Sequence, residues 1–397
     1  MKNILAIFWI FFKLGCTSFG GPVAHIGYFH NEFVIKRKWM TADEYTHLVS
    51  LCQILPGPAS SQVGMSLGYL QKKYWGAFAA WLGFTLPSAI IMTSLALGAT
   101  TYTKLLNSES IHGLKVLAAI VVATALYNMS RSTLKNITTV LIALVSCLFV
   151  LLSTHTYSHI VVITLATIFG FIQKPHVIAR NQVLQNVNRK NIKELVGFGF
   201  VYMIALLITF TALNYINPQS IMALSLRFYR IGSLVFGGGH VVLPLIQSEV
   251  VQSGFINIDS FLSGYGLAQI IPGPMFTLSS YIGATAFGQS SPLLASLLCT
   301  LALFLPSFLI LFAILPTWKN MHLSPRLNQI LQSINCAVIG LLAAAYINPI
   351  TITSLVHVYD YFICALGLYL LINHKTKIWM VTTFILVFYN AIIYIKF

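Results

Sequence analysis

The stretches Phe19-Gly20-Gly21-Pro22 and Gln53-Ile54-Leu55-Pro56-Gly57-Pro58 decide how this chain folds, because both return in its second half. The copies, 217 and 216 positions later, are Phe236-Gly237-Gly238-Gly239 and Gln269-Ile270-Ile271-Pro272-Gly273-Pro274. A third motif follows in each half, as Leu86-Pro87-Ser88 and Leu305-Pro306-Ser307. Ordered landmarks at matching spacing indicate an internal duplication.

The composition is typical of a membrane protein. Only 8% of the residues are charged and 57% are hydrophobic, whereas a soluble domain carries about 25% charged residues. Apolar runs of membrane-spanning length recur, which predicts an all-α polytopic membrane protein with about 10–13 membrane segments. The net charge of +15 comes from basic residues in short loops between these runs, a pattern typical of cytoplasmic loops. Nucleic acid is therefore not expected as a partner, and the lipid bilayer is.

The duplicated motifs interrupt apolar segments. Pro56-Gly57-Pro58 divides the stretch from Tyr45 to Leu70, because proline removes a backbone donor and glycine allows the chain to reverse. Each piece is shorter than the roughly 20 helical residues that cross a bilayer. A re-entrant hairpin and a single kinked span both fit this pattern. Uninterrupted spans are predicted near residues 75–98, 113–128, 136–153, 157–173, 195–216, 290–315, 329–346, 354–372 and 378–395.

The basic loops favour an inverted second copy. If the broken segments are hairpins, an odd number of full crossings separates the two copies, so the second starts on the opposite side. The loops that carry Lys319, Arg326, Lys375 and Lys377 then lie inside, as the positive-inside rule requires. A parallel repeat would place them outside.

The predicted organisation has three parts. Residues 1–173 form the first transmembrane repeat, residues 174–217 form a basic cytoplasmic linker and a connecting membrane helix, and residues 218–397 form the second repeat.

Inverted repeats with broken helices are typical of secondary transporters. A helix that begins inside the membrane offers free backbone N–H groups and the positive end of its dipole, which favour an anion. The alternative is that these glycines only permit tight helix packing. The candidate substrate-binding residues are Lys13, Gly20, Gly21, Gln53, Pro56, Gly57, Arg230, Gly237, Gly238, His240, Gln269, Pro272 and Gly273.

Polar residues recur beside the breaks. Lys13 and Arg230 each stand six residues before a Phe-Gly-Gly, where a cation would attract an anion or would reach the interface by snorkelling. Gln53 and Gln269 would bind an oxyanion or tie the hairpin together. His240 follows the second break, where a ligand role and a structural role are both open.

Glu32 and Glu249 also occupy equivalent positions. An intramembrane carboxylate could carry a coupling proton or gate the site. Pairing with a lysine, or capping a helix near the loop, is the alternative.

Motifs for other chemistry are lacking. The sequence has no HExxH metal spacing and no GxxxxGK[ST] phosphate loop, so no metal, cofactor or enzyme activity is predicted. A membrane-embedded enzyme acting on a lipid-linked substrate is the alternative class, and it would need a nucleophile or an acid–base cluster. The chain has eight acidic residues, and they show no such cluster.

The paired motifs resemble those of the chromate ion transporter family in its long, two-repeat form. The resemblance rests on Phe19–Pro22 with a later Pro-Gly-Pro, on Phe236–Gly239 with Leu243-Pro244, and on Gln269–Pro274 with Met275-Phe276-Thr277. It covers nearly the whole chain. It implies a secondary transporter that exports chromate across the cytoplasmic (inner) membrane and confers chromate resistance.

One position departs from the family pattern. The second motif commonly reads Gly-Gly-Gly-Tyr, and His240 stands at the tyrosine position. Chromate and sulfate are both tetrahedral dianions, so a transporter or exchanger of sulfate or another small inorganic oxyanion is the alternative. The direction of transport, the coupling ion and a homo-oligomeric state stay open at this point.

Overall fold

The computed structural model describes residues 3–101, 108–153, 158–173, 189–235, 242–318, 325–373, 376 and 378–395. In these ranges the regular structure is helical and contains no strand, which confirms the all-α class. Five of the helices found there are long and apolar enough to cross a membrane. One of them, over Lys193–Ala212, is almost entirely unburied within the protein, as expected of a helix that faces lipid.

The helices of the first half follow the predicted interruptions. They are α1 (Ile4–Thr17), α2 (Gly21–Phe29), a π-helix (His30–Lys36), α3 (Ala42–Ile54), α4 (Ala59–Thr101), α5 (Ser108–Thr133), α6 (Ile137–Leu152) and α7 (Ser158–Ile172). Lys72 and Lys73 inside α4 have non-helical dihedral angles, so α4 consists of two helical segments.

The second half repeats this order. After α8 (Arg189–Ala212), its helices are α9 (Ile221–Leu234), α10 (Val242–Ile246), a π-helix (Gln247–Val251), α11 (Ile258–Ile270), a 3₁₀ turn (Met275–Thr277), α12 (Leu278–Ala286), α13 (Pro292–Ile314), α14 (Pro325–Ala345), a π-helix (Tyr346–Thr351), α15 (Ile352–Ser354), α16 (Val358–Asn373) and α17 (Ile378–Ile395). The counterparts α1 and α9 have 14 residues each, and α3 and α11 have 13 each.

The breaks occur where the sequence places proline and glycine. Gly20 and Gly21 have φ of 98° and 75°, and Gly57 and Gly273 have φ of 124° and 101°. These left-handed conformations strain any residue with a Cβ atom. The helices therefore stop at Gly20-Gly21 and at both Pro-Gly-Pro turns because the backbone there leaves helical dihedral angles, as predicted. The Leu-Pro-Ser motifs, in contrast, lie within α4 and α13.

The described residues fall into two compact units, and each unit draws on both halves of the sequence. One lies within Met1–Leu97, Ala179–Gly239 and Ile271–Leu323, and the other within Gly98–Ile178, His240–Ile270 and Ser324–Phe397. We call them the first and second units. The cores of both are therefore assembled from the two copies of the duplicated sequence.

Helix crossings in the first unit depend on glycine. A Cβ atom on Gly15 of α1 would lie 2.6 Å from the carbonyl oxygen of Phe84 in α4, and one on Gly83 would lie 2.5 Å from that of Phe8. Gly232 of α9 meets the backbone of Leu303 in α13 in the same way. The same close crossing is thus formed once in each half.

In the second unit, helices of each half of the sequence pack against helices of the other half. The long helix α14 packs on α6 and α7 of the first half, whereas α5 packs on α16 and α17 of the second. Gly340 of α14 faces the backbone of Ala143, and Gly367 of α16 faces the side chain of Ile120. The long helix that each half contributes to this unit therefore packs against the last two helices of the other half.

Candidate functional site

Two reciprocal backbone hydrogen bonds join the duplicated motifs in the first unit. The Gly57 N–H donates to the Val235 carbonyl oxygen at 2.6 Å, and the Gly273 N–H donates to the Ser18 carbonyl oxygen at 2.9 Å. Ser18 and Val235 immediately precede the two Phe-Gly-Gly motifs. Each Pro-Gly-Pro turn is therefore bonded to the residue before the Phe-Gly-Gly of the other half.

The third duplicated motif belongs to the same contacts. A Cβ atom on Gly273 would lie 2.8 Å from Ser88 Oγ, and one on Gly57 would overlap Ser307 Oγ. Ser88 and Ser307 are the serines of the two Leu-Pro-Ser sequences. Glycine is required in both turns because the backbone angle and the lack of space each exclude a side chain.

Gln62 is part of this site and was not predicted. Its Nε2 donates to the Pro56 carbonyl oxygen at 2.7 Å and lies 3.3 Å from Ser307 Oγ. The side chain is fully buried, and its Oε1 has no hydrogen-bond partner among the described residues. The sequence signal was an amide in an apolar helix, six residues after Pro56. Leu278 stands at the corresponding place in the second half, so the two turns are chemically different.

Polar donors lie beside the first Phe-Gly-Gly. Helix α2 begins at Gly21, with the left-handed Gly20 as its N-cap residue. Ser18 and His25 are completely buried, the Ser18 hydroxyl has no hydrogen-bond partner in the described part of the chain, and the His25 ring lies beside the Ser18 backbone without a bond of full hydrogen-bonding geometry. Unpaired buried polar atoms are rare in native proteins. These groups can therefore donate to a polar guest at the start of α2.

The two predicted cations differ in exposure. Lys13 is exposed and lines a cleft of about 270 Å³ together with Glu32, Lys36 and Arg37. Arg230, at the equivalent position, is only 1% exposed, and its guanidinium lies 4.9 Å from the centre of the Phe210 ring. The duplication thus places one cation on an accessible surface and the other in the protein interior.

The two matched glutamates lie in π-helices. Such helices are rare in proteins overall, but they occur frequently at functional sites. Glu32 accepts from Arg37 Nε at 2.7 Å and lies 3.6 Å from Lys36 Nζ, so the ion-pair alternative is the observed one for this residue. Glu249 is 7% exposed and belongs to the second unit.

Among the remaining candidates, the two glutamines have equivalent positions in the sequence but different exposure in the structure. Gln53 is exposed at the end of α3, whereas Gln269 is buried in α11 of the second unit. Gly237, Gly238 and His240 lie outside the described residues. Over the ranges that are described, no cluster of histidine, cysteine, aspartate and glutamate could hold a metal ion.

Broken helices that meet in reciprocal contacts, within an apolar polytopic chain, are the architecture of a membrane transporter. The chain belongs to the chromate transporter family, whose model matches residues 5–171 and 222–395. The family resemblance inferred from the motifs is therefore confirmed. The chain is a multi-pass membrane protein of a transport family.

Several curated relatives span most of the chain. An uncharacterized transporter of Methanocaldococcus jannaschii is 28% identical over 87% of this chain and 84% of its own length. A probable chromate transport protein of Synechococcus elongatus is 25% identical over 85% and 82%. A chromate transport protein of Cupriavidus metallidurans is 24% identical over 85% and 80%. No solved structure matches the chain.

Proposed function

We propose that this protein is a secondary transporter that exports chromate across the cytoplasmic (inner) membrane and thereby confers chromate resistance. The observation that carries the site is the reciprocal pair of hydrogen bonds, Gly57 to Val235 and Gly273 to Ser18. Chromate transport itself is supported by the family and by the names of two of the relatives.

The site suits an oxyanion because it is rich in donors. The start of α2 supplies backbone N–H groups and the positive end of a helix dipole, and Ser18 and His25 supply side-chain donors. A tetrahedral dianion only accepts hydrogen bonds, so donors without protein acceptors match its chemistry. The alternating exposure of a site at the repeat interface would move the anion across the membrane.

Arg230 provides a buried positive charge on α9, five residues before Val235. A buried cation attracts an anion strongly because the local dielectric constant is low. Lys13, on the accessible cleft, would act earlier by raising the local concentration of the anion.

Chromate flux into inverted membrane vesicles tests this proposal. Export by the cell appears as accumulation inside inverted vesicles, so wild-type protein is expected to drive accumulation of radiolabelled chromate. Arg230→Gln is expected to lower it at least tenfold with the amount of folded protein unchanged. Arg227→Gln, three residues earlier on the same helix, is the matched control and is expected to keep most of the flux.

Three outcomes would change the proposal. Equal losses in the two variants would assign Arg230 a structural role. Competition by excess sulfate, with labelled sulfate itself transported, would make sulfate or a broader set of oxyanions the substrate. Folded wild-type protein that moves neither anion would rule out oxyanion transport.

A further inference from the structure

A carboxylate is buried in the second unit, far along the sequence from the duplicated breaks. Asp360 of α16 is completely buried. Its Oδ2 accepts from the backbone N–H groups of Val356 and His357 at 2.9 and 2.7 Å. His112 Nε2 lies 3.0 Å from the same oxygen, and the Tyr389 hydroxyl donates to Oδ1. Three elements, α5, α16 and α17, thus meet at one carboxylate.

Capping the start of α16 does not require the negative charge of Asp360, as the equivalent helix of the first half shows. Asp360 lies three residues after His357 at the start of α16, and Thr139 lies three residues after Asn136 at the start of α6. Thr139 Oγ1 accepts from the Asn136 N–H at 3.2 Å, just as Asp360 accepts from the His357 N–H. A neutral hydroxyl therefore accepts the N-cap N–H in the first half, where a buried carboxylate accepts it in the second.

In the part of the chain that the structure describes, Asp360 has no permanent cation at ion-pair distance. Among the described residues, no lysine or arginine nitrogen lies within 4.0 Å of its carboxylate. Lys115 of α5 is instead paired with Asp259 of α11 at 2.8 Å. Burying an unneutralised carboxylate is costly. The cationic form of His112, whose side chain is 13% exposed, would neutralise it.

Other titratable groups lie near the pair, either in space or along the sequence. The His357 ring lies 5.7 Å from that of His112 and stacks on Tyr359. Cys364 follows one turn later on α16, and Glu109 precedes His112 by three residues on α5. Tyrosine, cysteine and glutamate gain no positive charge on protonation, so the histidines are the groups whose protonation would neutralise Asp360.

We propose that His112 and Asp360 form a proton-binding site that couples proton movement to oxyanion transport. A proton from water binds the imidazole while Nε2–H continues to donate to Asp360, and the same proton is later released to water. Ionisable residues with such partners mark proton relays in transporters. The coupling rests on the proposed transport function, whereas proton binding by the pair does not.

Proton binding is measured directly on the purified full-length protein. In ¹⁵N-histidine-labelled protein, one imidazole resonance is expected to shift as the protein takes up protons and to be missing in His112→Gln. Asp360→Thr, which copies the cap of the first half, is expected to change the response of this resonance to acid because the counter-charge is gone. Thr139→Asp is the matched control and should leave the resonance unchanged. A His112 resonance that does not titrate, or that ignores Asp360→Thr, overturns the proposal.

Coupling is measured in proteoliposomes with the membrane potential held at zero. Wild-type protein is expected to change the accumulation of chromate about tenfold per pH unit of gradient for each coupled proton. His112→Gln and Asp360→Thr are expected to keep flux down a chromate gradient and to lose this response. A wild-type response that persists in both variants overturns the coupling. Titration of His112 in a protein that moves no oxyanion would uphold the proton site and reject the transport function instead.

Discussion

At the level of single residues, Gly57 and Gly273 are restricted both by their backbone angles and by the space around them. Both have left-handed backbone angles, and both leave no room for a Cβ atom beside the serine of a Leu-Pro-Ser sequence. The Pro-Gly-Pro motif is therefore needed for its shape as well as for breaking a helix, and the sequence alone indicated only the second reason.

Gly57→Ala is expected to lower the free energy of unfolding by about 1–3 kcal/mol, because the added methyl group overlaps Ser307 Oγ and strains the turn. Gly27→Ala is the control, since a Cβ atom there meets nothing within 4 Å. Thermal unfolding in detergent measures both. Adding Ser307→Ala should return part of the loss, and a Gly57→Ala protein as stable as wild type would contradict the geometry.

His25→Phe separates stability from transport. Phenylalanine keeps the ring that lies edge-on to Phe84 with 5.2 Å between centroids, and it removes the two buried ring nitrogens. We expect stability that is unchanged or higher, together with a loss of chromate flux of at least tenfold. His47→Phe, which preserves the stacking on Trp318, should change neither. A stable His25→Phe protein with normal flux would remove His25 from the site.

At the level of helices, the duplicated halves share crossings in which backbones touch. The contact between Gly15 and the Gly83–Phe84 backbone is repeated by Gly232 and Leu303. Small residues let helices approach closely enough for such contacts in a membrane, where apolar burial contributes little to helix association. Glycine packing, the alternative reading of the glycines at the breaks, thus holds for a different set of glycines.

Gly83→Ala is expected to destabilise the protein by about 1–3 kcal/mol, because its Cβ atom would lie against the backbone of Phe8 and Phe12, which cannot rotate away. Gly197→Ala on α8 is the matched control, with nothing within 4 Å of the added atom. Denaturation followed by intrinsic fluorescence would measure the difference. Similar midpoints for the two variants would show that the crossing tolerates a wider separation.

The positions of the helices were largely predictable from the sequence, whereas the segments that pack against each other were not. The spans predicted near 136–153, 157–173 and 378–395 correspond to Ile137–Leu152, Ser158–Ile172 and Ile378–Ile395, because apolar length and Pro-Gly breaks are local properties. Pairing of each Pro-Gly-Pro turn with the other half is not local. For the same reason, Lys13 and Arg230 are equivalent in sequence and opposite in exposure.

Candidate functional residues that are not duplicated were the hardest to find. Gln62 and Asp360 have Leu278 and Thr139 at the matching places, so a search for repeated polar residues passes over them. Glu32 and Glu249 are repeated, yet Glu32 forms ion pairs with exposed Arg37 and Lys36. Exposed pairs of this kind contribute less than about 1 kcal/mol. Repetition therefore identified the framework of the site better than its chemistry.

At the level of the whole molecule, both compact units are built from both halves of the chain. Cutting the chain within residues 174–188 is expected to give two fragments that are unstable when produced separately, because each loses the packing partners of its long helices. Produced together, they should purify as a complex and restore chromate flux. A fragment that is folded and stable without the other would contradict the packing between the two halves described for the second unit.

The reciprocal bonds between Gly57 and Val235 and between Gly273 and Ser18 also bear on how this protein evolves. The duplicated copies have already diverged, as Gln62 and Leu278 show. Neither copy can change its backbone at the turn independently, because each turn is hydrogen-bonded to the other copy. A backbone shift near Ser18 must be matched near Gly273, more than 250 positions later in the chain. Substitutions at these places should therefore covary between the two ancestral copies more strongly than within either one.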